Sequence, residues 1–159
     1  MQHRISLERI RKAAETIDPI FLNTPKYNCE PLSELLGVDL LLKIETLNPI
    51  RSFKGRGADF LLSQLTNESQ LMCASAGNFG QAMAFACRKR KVKLVVYAAT
   101  NANPYKIERM RALGADVILF GDDFDSAKEE AKRQSKRAGI RMIEDGLAIE
   151  TVEGAGTIG

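Results

Sequence analysis

Apolar runs of strand length alternate with segments of helical periodicity along most of the chain. The predicted strands are residues 39–44, 71–75, 93–98, 116–120 and 140–143. The predicted helices begin after Ser6, after Pro31 and at Ser52, and then cover residues 78–90, 103–114 and 123–138. Strands that alternate with helices in this way predict βαβ units and a parallel sheet. We therefore expect an α/β fold with an open parallel sheet flanked by helices.

Residues 144–159 (EDGLAIETVEGAGTIG) break this alternation. Their glycines and polar residues predict a loop that leads into a new helix, but no residues remain to form that helix. We therefore expect the sequence to be the N-terminal portion of a longer chain.

Composition narrows the class of protein. The 159 residues are 45% hydrophobic and 27% charged, which is enough apolar content for a packed core. The formal net charge of +3 is too small to indicate a nucleic-acid partner. No apolar segment approaches the roughly 20 residues needed to span a membrane. We expect a protein that acts on small molecules.

The number and spacing of the cysteines and histidines indicate neither disulfides nor a metal site. Cys29, Cys73 and Cys87 are odd in number and form no C-x-x-C pair, which is typical of a reduced, cytoplasmic protein. Cys73 and Cys87 lie in apolar segments, where we expect them to be buried. Because His3 is the only histidine, we expect no metal site.

The last six residues, 154–159 (GAGTIG), match the G-x-G-x-x-G pattern of dinucleotide-binding sites. This pattern binds a pyrophosphate where a buried strand precedes it and a helix follows it. The preceding residues, ETVE, are not a clear strand, so a nucleotide site is a distant alternative.

A polar turn follows the second predicted strand, at residues 75–82 (SAGNFGQA). Ligands of open α/β sheets bind at the carboxyl ends of the strands, where the free N–H groups of a helix N-terminus attract an anion. Ser75 and Asn78 add side chains that can hydrogen-bond to a carboxylate or a phosphate. The alternative is an ordinary turn in which Asn78 caps the helix.

A lysine, Lys54, lies in the segment RSFKGRGA (residues 51–58). Ser52 can cap a helix whose first turn contains Lys54. The helix dipole and the neighbouring Arg56 both disfavour the charged ammonium, and a neutral lysine amine can form a Schiff base. The two glycines of the segment would let the backbone approach a flat ligand, and Phe53 could pack on its face.

Lys54 and Ser75 are separated by one helix and one strand, so a parallel sheet brings them to the same edge. An amine nucleophile beside an anion-binding turn suggests chemistry on an amino acid through pyridoxal phosphate.

At these residues the sequence resembles a known family. LLKIETLNPIRSFKGRGA resembles the lysine motif of fold-type II pyridoxal-phosphate enzymes, in the branch of the threonine/serine dehydratases and serine racemase. ASAGNFGQA resembles the substrate loop of that branch, NANPYKIERMRALGADVILFGDDFDSA its small-domain core, and EGAGTIG its return to the large domain. The resemblance implies that residues 51–143 form a small α/β domain. It places residues 1–50 and 144–159 in a larger domain.

The resemblance also implies the cofactor, pyridoxal 5′-phosphate, and a role for each matching residue. Lys54 would hold the cofactor as a Schiff base and later move the substrate α-proton. Phe53 would stack near the cofactor ring, and Asn78 would hydrogen-bond to its ring hydroxyl oxygen. The substrate carboxylate would be surrounded by Ser75, Gly77, Asn78 and Phe79.

Within the superfamily, SFKGRGA favours a dehydratase, because cysteine synthases tend to have valine before the lysine and threonine synthases tend toward SFKDRG. Phe79 stands where many dehydratases have histidine, which leaves the substrate open. The resemblance places the phosphate-binding loop beyond Gly159 and implies a homodimer or homotetramer.

The expected reaction is the loss of water from L-threonine or L-serine, followed by hydrolysis to a 2-oxo acid and ammonia. An amino-acid racemase would use the same lysine and a second acid/base outside this chain. A third hypothesis is a truncated, non-catalytic fragment or binding module that keeps the fold.

Overall fold

The computed structural model of the chain describes residues 5–159, so the prediction made for His3 lies outside the described residues. The first part contains helices α1 (Leu7–Thr16), α2 (Pro19–Leu22) and α3 (Glu30–Leu36), and strands β1 (Lys26–Asn28) and β2 (Leu41–Lys43). The second part alternates α4 (Lys54–Gln64), β3 (Gln70–Ala74), α5 (Asn78–Arg90), β4 (Lys93–Ala98), α6 (Pro104–Ala112), β5 (Asp116–Leu119), α7 (Phe124–Ala138), β6 (Arg141–Ile143) and α8 (Ile149–Ala155). Short 3₁₀ turns cover Glu45–Leu47 and Gly156–Ile158.

Four strands form a parallel sheet in the order β5-β4-β3-β6. Strand β3 is central, with Cys73 paired to Val96 of β4 on one side and to Ile143 of β6 on the other. Strands β1 and β2 form a separate antiparallel pair. The predicted α/β fold with an open parallel sheet is thereby confirmed.

Helices cover both faces of the parallel sheet. Successive residues of a strand point to opposite faces. Accordingly, Leu71 and Cys73 of β3 join the larger core with α4, α5 and α6, while Met72 packs with α7 residues such as Ala127. The carboxyl ends of the strands therefore form an edge between two helical layers, which is where ligands of such sheets bind.

Local signals fix several helix ends as the sequence predicts. The side chain of Ser6 accepts a hydrogen bond from the Arg9 amide at the start of α1, and Asn103 caps α6 directly before its first residue, a proline. Helix α7 is capped by Asp123 and ends at Gly139, whose φ of +65° suits a residue without a Cβ.

Three predictions about single elements need correction. Asp18 caps the short helix α2 instead of only ending α1. Strand β1 was not predicted, because its three residues are all exposed and carry no apolar pattern. The glycine-rich end of the chain, predicted as a loop, contains helix α8. The division into domains at residues 50 and 143 stays a prediction.

Between residues 5 and 159, no helix combines the length and the apolar character needed to cross a bilayer. The same residues contain no group of three or more His, Cys, Asp or Glu side chains placed to hold a metal ion.

Candidate active site

Lys54 lies in the first turn of α4, as the sequence predicts, but the cap position is Phe53 and not Ser52 as predicted. The hydroxyl oxygen of Ser52 accepts a hydrogen bond from the Lys54 backbone N–H at 3.3 Å, which satisfies one of the free amides of the first turn. The Lys54 side chain is 30% exposed, and its Nζ lies 5.1 Å from the centre of the Phe53 ring. The amine and an exposed aromatic face are therefore side by side.

Asp145 is the charged partner of Lys54. Both of its carboxylate oxygens lie 2.8 Å from the Lys54 Nζ. Asp145 follows β6 by two residues, in the loop that leads to α8. The sequence-based hypothesis considered only the positive charges around Lys54 and missed this carboxylate.

Arg56 does not act on Lys54 as the sequence suggests. Its guanidinium is buried and binds the Glu45 carboxylate in a bidentate pair, with N···O distances of 2.7 and 2.9 Å. It also donates to the carbonyl and the hydroxyl of Thr157. The charge of Arg56 is thereby neutralised on the side of α4 that faces the 3₁₀ turns, and the prediction that Arg56 acts on the Lys54 amine was wrong.

The two glycines of the lysine segment serve helix packing. A Cβ at Gly55 would overlap the ring of Phe21, and one at Gly57 would overlap the backbone of Thr151 in α8. Gly154 of α8 fits against the backbone of α4 in the same way, with its missing Cβ 2.7 Å from the Arg56 carbonyl oxygen. The interpretation that Gly55 and Gly57 admit a flat ligand is therefore wrong. The GAGTIG segment begins inside a helix, not in a strand-to-helix turn.

Ser75 orders the turn between β3 and α5 through hydrogen bonds. The buried hydroxyl oxygen of Ser75 accepts hydrogen bonds from the amides of Gly77 at 3.2 Å and Gly80 at 2.9 Å. Helix α5 begins at Asn78, so the next two amides, of Asn78 and Phe79, have no intrahelical acceptor. Two free N–H groups at the positive end of a helix can bind one carboxylate.

Asn78 and Phe79 present different groups to a ligand. The exposed Asn78 side chain forms no hydrogen bond with residues 5–159 and does not cap α5, because Gly77 occupies the cap position. The Phe79 side chain is 5% exposed and belongs to the larger core. Only the backbone of Phe79 is therefore available for the carboxylate role predicted for it.

The pairing of β3 with β6 brings the two halves of the site together. Because Cys73 is opposite Ile143, the residues two positions further along, Ser75 and Asp145, leave the sheet side by side. A cavity of about 210 Å³ lies at this edge, lined by Ala74, Phe124, Lys128, Met142, Ile143, Glu144 and Asp145. Through its ion pair with Asp145, Lys54 lies at the same edge of the sheet as the Ser75 turn, as predicted.

A group of cations stands on the other side of the turn. Lys106 of α6 places its Nζ over Gly77, 3.6 Å from the position that a Cβ would take. Lys106, Arg51 and Arg109 form no ion pair with any carboxylate of residues 5–159. The Arg109 guanidinium instead hydrogen-bonds to Tyr105 and holds the pKa of that exposed phenol below its ordinary value. The sequence gives no local signal for this group, because it depends on how α6 packs.

The thiols take no part in the site. Burial raises the pKa of Cys73 far above its ordinary value and raises the pKa of Cys87 to about 12. Both side chains are therefore neutral small hydrophobes, as the sequence predicts.

This arrangement fits part of a pyridoxal-phosphate site. An aldehyde cofactor with a flat ring needs an amine, an aromatic or apolar face and hydrogen-bond donors. Lys54 supplies the amine, Phe53 an exposed ring, and Asn78 an uncommitted amide. The roles of these three residues, and of Ser75, Gly77 and Phe79 toward the carboxylate, remain predictions.

Comparison with known proteins gives a consistent result. A family model described as pyridoxal-phosphate dependent enzyme matches residues 17–159. The chain is 36% identical over 155 residues to the biosynthetic L-threonine dehydratase IlvA of Mycobacterium tuberculosis, covering 94% of this chain and 36% of that protein. It is 34% identical over 149 residues to the chloroplastic threonine dehydratase 2 of Solanum lycopersicum, covering 92% of this chain and 25% of the relative.

A solved structure of a pyridoxal 5′-phosphate-dependent aspartate racemase superposes with a TM-score of 0.89 at 28% identity. The match covers 99% of this chain and 50% of that one. The chain therefore spans between a quarter and a half of the length of these proteins.

Proposed function

The chain belongs to the pyridoxal-phosphate dependent enzymes, and from that premise we propose that it carries the catalytic lysine of an ammonia-lyase acting on L-threonine or L-serine. When bound, pyridoxal phosphate supplies an aldehyde that forms a Schiff base with an amine and an electron sink that makes the substrate α-proton acidic. Similarity to two threonine dehydratases at 34–36% identity supports this reaction class.

The observation that carries the proposal is the meeting of Lys54 and the Ser75 turn at one edge of the sheet. We assign to Lys54 the attachment of the cofactor and the transfer of the α-proton. The exposed Phe53 ring, beside the Lys54 amine, stacks near the cofactor ring. The Asn78 side chain donates to the ring hydroxyl oxygen, which requires an amide free of other partners.

The substrate carboxylate binds at the turn. Ser75 orders the loop through the two hydrogen bonds that it accepts, which leaves its own hydroxyl proton for the ligand. The amides of Asn78 and Phe79 point out of α5 as donors, and Gly77 lets the ligand approach the backbone. This binding orients the α-proton toward Lys54.

A racemase is the second candidate, because an aspartate racemase shares this fold at 28% identity. Racemisation requires a second acid/base on the opposite face of the substrate. That second acid/base would lie outside this chain. A non-catalytic fragment or binding module that keeps the fold is the third candidate.

The family also leads us to propose a substrate class, an oligomeric state and a location for the chain. The partner is a small amino acid, the acting form is a homodimer or homotetramer, and the location is cytoplasmic. One similar protein is named as chloroplastic, so a plastid is the alternative location.

The test is to mix the chain with pyridoxal phosphate and follow its visible absorption before and after addition of L-threonine, L-serine or D-serine, while 2-oxo acid and serine enantiomers are assayed. A lyase gives a 2-oxo acid and ammonia, and a racemase gives D-serine. The Lys54→Ala variant should lose either activity.

If the absorption band forms at Lys54 without any product, the chain is a binding module. If no band forms that depends on Lys54, the proposed function is wrong for this chain.

A further inference from the structure

The charges around the candidate site are separated across the turn that follows β3. In the sheet order β5-β4-β3-β6, the elements after β4 carry Lys106, and the loop after β6 carries Asp145. The turn with Ser75 and Gly77 lies between them. The Lys106 ammonium lies over Gly77, in the proposed carboxylate subsite, and the Asp145 carboxylate lies beside Lys54.

Asp145 depends on Lys54 for its neutralisation. Among residues 5–159, the Lys54 ammonium is the only cation within 4 Å of its carboxylate. The neighbouring Glu144 is neutralised separately, by Lys128 at 2.9 Å and Lys132 at 3.8 Å. Of the two acidic residues that line the cavity, only Asp145 therefore loses its partner when Lys54 changes charge.

Lys54 must change charge in the proposed reaction. A lysine that removes the α-proton acts as a neutral amine, and it must lie about 3 Å from the atom that it deprotonates. Both Asp145 oxygens are 2.8 Å from the Lys54 Nζ. A carboxylate in contact with the base lies within about 6 Å of the atom that the base deprotonates. The Asp145 carboxylate lines the cavity and has no second cation within 4 Å among residues 5–159, so it is left unneutralised.

We propose that Asp145 sets the charge preference of this site, so that the site accepts amino acids with a hydroxyl or cationic side chain and rejects those with a second carboxylate. This inference rests on the proposed function and narrows its substrate class. In a half-exposed site, a second carboxylate about 6 Å from Asp145 would be repelled, which weakens the binding of a substrate that carries it roughly tenfold. A hydroxyl carries no such penalty.

The local field at Lys54 can be measured on the chain as it exists, with small aldehydes in place of substrates. Glyoxylate, glycolaldehyde and betaine aldehyde are anionic, neutral and cationic. Each is trapped on lysine by cyanoborohydride at low salt, and the rate at Lys54 is obtained by peptide mapping, with the exposed Lys12 as internal reference. The ion pair with Asp145 changes the reactivity of the Lys54 amine toward all three aldehydes equally. The ratio of the rates for two aldehydes therefore does not contain this effect.

We expect Lys54 to react roughly tenfold more slowly with glyoxylate than with glycolaldehyde, relative to the same ratio at Lys12. Betaine aldehyde should show the opposite preference. Asp145→Asn should bring the Lys54 ratios to those of Lys12, while Asp145→Glu should keep the preference. Asp39→Asn, which removes an exposed carboxylate outside the site, should leave the ratios unchanged.

Equal ratios at Lys54 and Lys12 in the wild-type chain, or a preference that survives Asp145→Asn, would overturn the proposal. Neither result would affect the proposed function, which depends on pyridoxal phosphate choosing Lys54. Conversely, Lys54 could show the charge preference while pyridoxal phosphate does not bind selectively to Lys54. That result would establish the electrostatic effect of Asp145 but reject the proposed enzymatic function.

Discussion

At the scale of single residues, the buried pair of Arg56 and Glu45 supports the start of α4. Arg56 has the largest fully buried side chain of the described residues, and Glu45 faces it with both oxygens. Burial alone would raise the pKa of Glu45, but hydrogen bonds from Arg56 and Thr24 outweigh it and hold the pKa below its ordinary value. The charged carboxylate is therefore favoured by folding.

We expect Glu45→Gln to lower the free energy of unfolding at pH 7 by about 3 kcal/mol, because it leaves a buried guanidinium without a carboxylate. A carboxyl group whose pKa is lowered by folding stabilises the fold above its ordinary pKa, and this contribution is lost as the pH falls through the folded value. The difference between wild type and variant should thus shrink below about pH 5. Urea unfolding at several pH values measures it.

The exposed Glu34 provides the control, since Glu34→Gln removes a charge that has no buried partner. A difference of less than about 1 kcal/mol for Glu45→Gln at pH 7 would show that the pair contributes no more than an exposed ion pair.

At the scale of elements, the crossing of α4 and α8 joins the lysine segment to the end of the described chain. Gly57 and Gly154 face each other there, with the missing Cβ of Gly154 2.7 Å from the Gly57 Cα. Because the two backbones are in direct contact, α4 cannot shift or tilt without also moving α8. The crossing therefore fixes the direction in which α4 presents Lys54.

Gly57→Ala should destabilise the chain by about 3 kcal/mol, although alanine is the better helix former, because the added methyl group meets the backbone of Thr151. Gly55→Ala is a matched comparison, since its methyl group meets the buried ring of Phe21, a side chain and not a backbone. A side chain can shift by small changes of its torsion angles, whereas a helix backbone cannot. We expect a smaller loss for Gly55→Ala in urea unfolding. Equal stability of Gly57→Ala and wild type would contradict the packing role.

The same elements show how far local sequence patterns reach. The runs that became β3, β4 and α5 carry their own periodicity, and Asn103, Asp123 and Gly139 mark helix ends through short-range hydrogen bonds or backbone conformation. Helix α8 escaped prediction because Gly154, unfavourable in an isolated helix, is required by contact with α4.

The residues of the candidate site also fall into two groups, those that local sequence patterns predict and those that they do not. Lys54 and Ser75 could be found from their local segments and from the rule that parallel strands end at one edge. Asp145 and Lys106 could not, because their positions follow from the β3–β6 register and from the packing of α6. Such contacts join residues far apart in the sequence and leave no local pattern.

At the scale of the whole molecule, the region of α3, β2 and the following 3₁₀ turn exposes an apolar surface. It consists of Leu35, Leu36, Val38, Leu41 and Leu47, each more than half exposed. Large exposed apolar surfaces are rare on soluble monomers and typically form an interface.

We expect the chain to self-associate through this surface. Sedimentation velocity should show a weight-average mass that rises with concentration, and Leu35→Lys combined with Leu41→Lys should reduce the rise. Glu34→Lys changes charge on the same helix and serves as the control. A chain that is monomeric at all concentrations, or a double variant that associates as wild type does, would contradict this expectation.

The central claim is that this chain presents Lys54 as the cofactor-binding amine of a pyridoxal-phosphate enzyme. Its most direct test is to incubate the chain with pyridoxal phosphate, reduce the mixture with borohydride and map the label by peptide mass spectrometry. We expect label predominantly on Lys54, and loss of that label with no gain elsewhere in Lys54→Ala. Label distributed over the lysines according to their exposure would contradict it.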